Sequence, residues 1–169
     1  VDEAFVEVMG EGASLAPRLP LGRAIVLRSF GKTWGLAGVR LGFAIADAEF
    51  AAAVRRAFGP WAVSGPAIAV GRAALADRDW LAATVTRLRR DAARLDGLLA
   101  AADCRILGGT PLFRTVEHAD EGRFADRLAA AGIHIRRFPH DPRLFRFGLP
   151  AEEGDWRRLD AALRSVAPR

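Results

Sequence analysis

Lysine is almost missing from this chain: of its 25 basic residues, every one except Lys32 is arginine. Tyrosine is missing altogether, and cysteine occurs once, as Cys104. One cysteine excludes an internal disulfide, and with three scattered histidines (His118, His134, His140) it forms no recognisable metal spacing. No apolar run reaches the roughly 18 residues that a bilayer-spanning helix needs. The start of the chain lacks the charged and apolar regions of a signal peptide, so a cytoplasmic location is the default expectation. Segregated charge is missing too. The net charge of +5 and a pI near 11 would suit a polyanion, but the arginines are mixed with 20 acidic residues along faces such as TRLRRDAARLD. That pattern marks solvated helices, and no nucleic-acid or membrane partner is expected.

What is present is a globular composition. With 169 residues and 51% hydrophobic content, the chain can build a real core over one domain or one and a half. It opens on VDEAF with no preceding turn or cap, as if at the end of a buried strand, and so reads as the C-terminal part of a longer protein. GEGASLAPRLPLG is a loop. AIVLRSF (24–30) has the pattern of a strand buried on both faces in a parallel sheet, GKTWGLAG is a glycine-punctuated turn, and VRLGFAIA (39–46) is a second strand. Asp47 caps a helix ending at Gly59-Pro60, Pro66 opens another to about Ala76, and Asp79 caps a long amphipathic one. From Cys104 the order is strand, strand, helix, short strand, strand and a closing helix capped near Asp155, a small α+β or split βαβ unit. Trp34, Trp61 and Trp80 are expected to be packing residues, and Cys104 a buried small hydrophobe.

The lone lysine sits in SFGKTWGLAGVRLGF (29–43). An ammonium, unlike a guanidinium, can lose its proton and act as an amine nucleophile, so a lysine kept where arginine serves everywhere else is a candidate for imine chemistry. A lysine joined to a phosphate-bearing aldehyde cofactor needs a hydroxyl and a cationic fork nearby, which Ser29 and Arg40 supply, with glycines that let the backbone approach. An anion for the ring nitrogen is available in Asp2. Arg146, in RLFRFGL, is a candidate for a substrate carboxylate.

VDEAF, RSFGKTWGLAGVRLGF, PWAVSGPAIAV, GIHIRRF and RLFRFGL together resemble the C-terminal half of a fold type I pyridoxal-phosphate enzyme of the class I/II aminotransferase superfamily. Within it the chain is similar to the threonine-phosphate decarboxylases of cobalamin biosynthesis and to histidinol-phosphate aminotransferases. The resemblance implies an α/β fold, with residues 1–60 the C-terminal portion of the cofactor-binding large domain and 61–169 linking helices plus a small α+β domain. It implies pyridoxal 5'-phosphate as cofactor, a phosphorylated amino acid as substrate, and a homodimer. Lys32 would join the cofactor and later move protons, Asp2 would pair with the pyridine nitrogen, and Ser29 and Arg40 would bind the phosphate. Arg146 would hold the substrate carboxylate, and Arg136 or its neighbour Arg137 the substrate phosphate. Decarboxylation of L-threonine O-3-phosphate is the activity implied; transamination of histidinol phosphate, or a fragment that binds no cofactor, are the alternatives. Two residues depart from the pattern: Phe5 stands where relatives place Tyr, and Ser64 where Asn is expected.

Overall fold

A computed structural model describes residues 1–166 of the chain, which divide into two units, 1–85 and 86–166. In the first unit the apolar run after the loop becomes β1 (Val26–Ser29), and the second run becomes β2 (Gly42–Ile45). The two pair antiparallel, with Val26 opposite Ile45 and Ser29 opposite Gly42. The sequence reading of a strand buried in a parallel sheet is therefore corrected. The turn between the runs is short enough to close a hairpin, and hairpin strands are antiparallel by construction. Parallel pairing survives in a single bridge, Asp2 beside Leu27. Burial on both faces is not seen either, because Leu27 and Phe43 are exposed.

A four-residue helix, α1 (Val6–Met9), follows the Asp2 bridge. Helix α2 (Ala48–Phe58) starts where expected: the Asp47 carboxylate accepts from the Phe50 N–H at 2.8 Å, and Gly59, at φ +69°, ends it. Helix α3 (Gly65–Ala76) is capped by Ser64, whose hydroxyl accepts from the Ala67 N–H at 3.3 Å. The serine that departs from the family pattern thus has a capping role. Gly71 of α3 lies close to the residue after Arg40: a Cβ there would fall 2.4 Å from Leu41 Cδ2, so a larger residue would have to push the end of that side chain aside. The long helix α4 (Arg78–Ala101) is capped by Asp77, which accepts from the Trp80 N–H at 2.9 Å, and not by Asp79, which lies in its first turn. Trp61 is 94% exposed and Trp80 is also exposed, so neither packs as expected among the described residues.

The second unit carries a four-stranded antiparallel sheet in the order β3 (Arg105–Thr110), β4 (Phe113–Glu117), β6 (Asp141–Gly148), β5 (Arg136–Phe138). Helix α5 (Glu121–Ala130) links β4 to β5 with β6 inserted between them, which is the split βαβ arrangement expected. Helix α6 (Glu153–Val166) begins before Asp155, which sits in its first turn and is not its cap. One face of the sheet, through Val116, Phe145 and Phe147, packs on Leu95 and Leu99 of α4, Phe124 and Leu128 of α5, and Trp156 and Leu163 of α6. Alternation along β6 buries Phe145 and Phe147 and turns Arg146 to the other face. Cys104 is buried, and burial pushes its thiol pKa up to about 12.

Candidate active site

The hairpin geometry gathers the first four candidate residues at one end of β1. Ser29 pairs with Gly42, and the Phe30 N–H donates to the Leu41 carbonyl at 3.2 Å, so the ladder runs on toward Arg40 directly beyond Ser29. Lys32 lies in the intervening turn, whose chain reversal is closed by the Gly35 N–H donating to the Lys32 carbonyl at 3.0 Å. Arg40 takes a left-handed backbone conformation, φ 56°, that non-glycine residues seldom adopt. Its Nη1 donates to the Ala37 carbonyl at 3.1 Å.

Asp2 and Ser29 share a face of the small sheet. Asp2 stands beside Leu27, and Leu27 and Ser29 are two apart, so the pleat points all three the same way. The Asp2 carboxylate accepts from the Ala4 N–H at 2.9 Å and the Ser29 hydroxyl from the Gly31 N–H at 3.1 Å, each leaving further acceptor capacity. The Lys32 ammonium is exposed and lies 5.6 Å from the Phe5 ring centroid. Among the described residues neither Lys32 nor Arg40 has a carboxylate partner; the ion pairs of the first unit are those of Arg28 with Glu3 and Glu7. An unneutralised ammonium and guanidinium beside a hydroxyl suit a phosphate dianion.

In the second unit Arg136 and Arg146 are directly opposite each other on β5 and β6, and Thr115 of β4 continues the row. Arg146 lies over the Phe113 ring at 4.9 Å, and Arg136 over Phe138 at 5.8 Å. Register also separates the arginine doublet that the sequence left open. Arg137 pairs with Phe145 on the helix-covered face and forms a salt bridge to Asp126, whereas Arg136 faces with Arg146 and has no ion pair among the described residues.

Sequence reasoning missed the groups behind the lysine turn. Glu3 and Thr33, both buried, and the partly buried Glu7, Arg28 and Ser14 form a polar cluster there. A signal was available: Arg28 interrupts an apolar strand, and a cation there needs buried carboxylates.

The chain matches the family model described as aminotransferase class I and II over residues 1–163. It belongs to that family. Threonine-phosphate decarboxylase of Pseudomonas aeruginosa is 42% identical over 163 residues, covering 96% of this chain and 49% of the relative. Histidinol-phosphate aminotransferase 2 of Archaeoglobus fulgidus is 37% identical over 137 residues, covering 80% and 40%. Among solved structures, histidinol-phosphate aminotransferase of Sinorhizobium meliloti in complex with pyridoxal-5'-phosphate superposes with a TM-score of 0.86 at 27% identity, covering 98% of this chain and 47% of that one. The chain spans about half the length of the curated relatives it matches. Pyridoxal phosphate is the cofactor of this family, and the donor set fits it: one amine on a glycine turn, a hydroxyl and a free guanidinium for the phosphate, and an exposed carboxylate on the same face for the ring nitrogen.

Proposed function

We propose that the protein containing this chain is a pyridoxal-phosphate-dependent decarboxylase that converts L-threonine O-3-phosphate to (R)-1-amino-2-propanol O-2-phosphate in cobalamin biosynthesis, as a cytoplasmic homodimer. The observation that carries the chemistry is Lys32, an exposed ammonium with no carboxylate partner among the described residues, on a turn flanked by Ser29 and Arg40. The choice of substrate rests on decarboxylase relatives 42% and 40% identical across nearly the whole chain.

Ser29 and Arg40 would hold the cofactor phosphate, Lys32 its aldehyde carbon and Asp2 the protonated ring nitrogen. The bound cofactor supplies an electron sink for the bond broken at the substrate Cα. Asp2 keeps the proton on the ring nitrogen through charge–charge attraction, which is what makes the sink effective. Arg146 takes the α-carboxylate with a planar two-pronged grip and so sets which Cα bond is broken. Arg136, with no acidic partner among the described residues, takes the substrate phosphate. Lys32, once its amine is displaced, returns a proton to Cα and completes the amine product.

Transamination of histidinol phosphate would use the same groups, and the Archaeoglobus fulgidus relative keeps it as the second reading. Two assays on the full-length protein separate them: CO2 release from L-threonine O-3-phosphate, and 2-oxoglutarate-dependent amino transfer from histidinol phosphate. The first is expected; amino transfer without CO2 release would overturn the reading. Visible absorbance that is lost on borohydride reduction and in Lys32→Ala is expected, and a full-length protein that takes up no cofactor would sink both readings.

A further inference from the structure

Three of the four cofactor candidates of the first unit, Asp2, Ser29 and Lys32, have a sequence neighbour in one polar network. Asp2 is exposed and Glu3 buried; Ser29 is followed backward by Arg28; Lys32 is exposed and Thr33 buried. The Glu3 carboxylate accepts from the Ser14 hydroxyl at 2.8 Å, the Leu15 N–H at 2.6 Å and Arg28 Nε at 3.2 Å. Arg28 also donates to Glu7 at 3.3 Å and to Ser14 at 2.6 Å. Against the desolvation that burial imposes, these bonds hold the Glu3 pKa below its ordinary value.

Glu7 is the member with unspent capacity. It projects from α1, its side chain only 7% exposed, and one oxygen meets Arg28 while Oε2 has no hydrogen-bond partner among the described residues. Thr33 Oγ1 and Trp34 Nε1 are also buried and unpartnered. Burial raises the Glu7 pKa, opposed by Arg28 and by the Thr33 hydroxyl, which lies close without meeting hydrogen-bond geometry. Glu7, Arg28 and Trp34 line an open pocket of about 210 Å3 together with Phe30, Phe43 and Leu75. The charged groups facing Glu7 are Arg28 from β1 and, across it, Glu3 from the segment before α1; Thr33 and Trp34 from the lysine turn and Leu75 from α3 bring none.

A buried donor and acceptor left open in the same cluster are costly unless they serve one another, directly or through one water. We propose that Glu7 is a positioning residue for Lys32: through the Thr33 hydroxyl and Arg28 it anchors the lysine turn from behind β1, so that the amine is presented on the opposite side. This rests on the reading above that Lys32 carries the cofactor. Arg28 fixes the strand at Ser29, Thr33 fixes the turn at Lys32, and Glu7 is the carboxylate that joins those two anchors.

The experiment uses the full-length protein with pyridoxal phosphate and reads two quantities besides turnover: the pH midpoint of the visible absorbance of the lysine-linked cofactor, and the cofactor dissociation constant. Glu7→Gln removes the carboxylate that joins the two anchors and so loosens the lysine turn; the midpoint is expected to shift from its wild-type value and the affinity to weaken about fivefold. Thr33→Val is expected to change both in the same direction, Thr33→Ser to keep wild-type values, and the double variant E7Q/T33V to lose no more than the larger single change. Circular dichroism checks that each variant folds, and if E7Q does not, Thr33→Val decides. Wild-type midpoint and affinity in a folded E7Q or T33V protein, or additive losses, overturn the proposal. A wild-type protein that never takes up the cofactor overturns the functional reading and this inference with it, whereas a loaded wild type with an indifferent E7Q overturns this inference alone.

Discussion

The two units are nearly equal in length and opposite in how they treat apolar side chains. The second closes a core of Phe124, Phe145, Phe147, Trp156 and five leucines between a four-stranded sheet and three helical segments. The first buries Val6, Val8, Val26, Phe30 and Ala67 but exposes Phe43, Phe58, Trp61, Ile68, Val70, Leu75 and Trp80. Helix α3 is apolar apart from Arg72, a composition that belongs to an interior, yet among its residues only Ala67 and Gly71 are buried. The second unit holds itself together by packing. In the first, a charged network does much of the joining between the N-terminal segment and β1, and that same unit bears the lysine. Order around Lys32 therefore depends on polar groups with strict partners, and substitution there should be felt differently from substitution in the apolar core.

The largest contrast is in the core. Phe145→Ala, at the centre of the second unit, is expected to cost about 3–5 kcal/mol, measured by denaturant unfolding. Trp61→Ala in the same chain should change stability by less than about 0.5 kcal/mol, because the ring touches so little. Equal losses would erase the distinction between the units.

Next comes Arg28→Ala, which leaves the Glu3 and Glu7 carboxylates buried without their cation and should cost about 3 kcal/mol. The loss should appear in the first unit. Cys104, the single thiol, lies in the second unit and should keep its slow alkylation in this variant, while Phe145→Ala should speed it. Arg28→Ala that exposes the thiol equally would mean the units unfold as one.

Smaller is a pH effect confined to the second unit. His118 is buried, stacks on Phe124 at 4.0 Å and accepts from the Asp120 N–H, and burial lowers its pKa. The native state resists protonation more than the unfolded one, so the stability that the neutral ring contributes is full above the ordinary value near 6.5. It is lost as pH falls from there through the lowered native value. Thermal unfolding from pH 8 to pH 5 should show a decline that His118→Phe reduces; an unchanged decline would assign it elsewhere. Smallest is Glu153→Gln, at the exposed pair with Arg94, which should leave the melting temperature within error despite two contacts of 2.7 Å.

Much of this was legible in the sequence. Helix ends were read well where a side chain caps them, as with Asp47, because the signal is local. The split βαβ order from Cys104 and the burial of that cysteine followed from period and composition. Asp79 and Asp155 were misread because several acidic residues lie near each helix start, and only geometry shows which one accepts the N–H. Strand direction was misread because apolar content reports burial, not partners. For the site, spacing placed Ser29, Lys32 and Arg40 around one glycine-punctuated turn, but which of Arg136 and Arg137 faces Arg146 is a matter of register. The Glu7 network was missed although Arg28 in an apolar strand signals it, because which carboxylates answer that cation is not local: they lie 21 to 25 residues away in sequence.

The pleat of β1 carries a rule of parity. Odd-numbered Leu27 and Ser29 look one way and even-numbered Val26 and Arg28 the other. A single inserted or deleted residue between the Asp2 bridge and Ser29 that shifted the strand would exchange the two sides, offering Arg28 to the cofactor face and burying the serine. A two-residue change would preserve the sides and move the strand along its own axis. Length variation in the Gly- and Pro-rich segment at 10–22 is absorbed by the loop, whereas within 24–30 viable variants should differ in length by even steps.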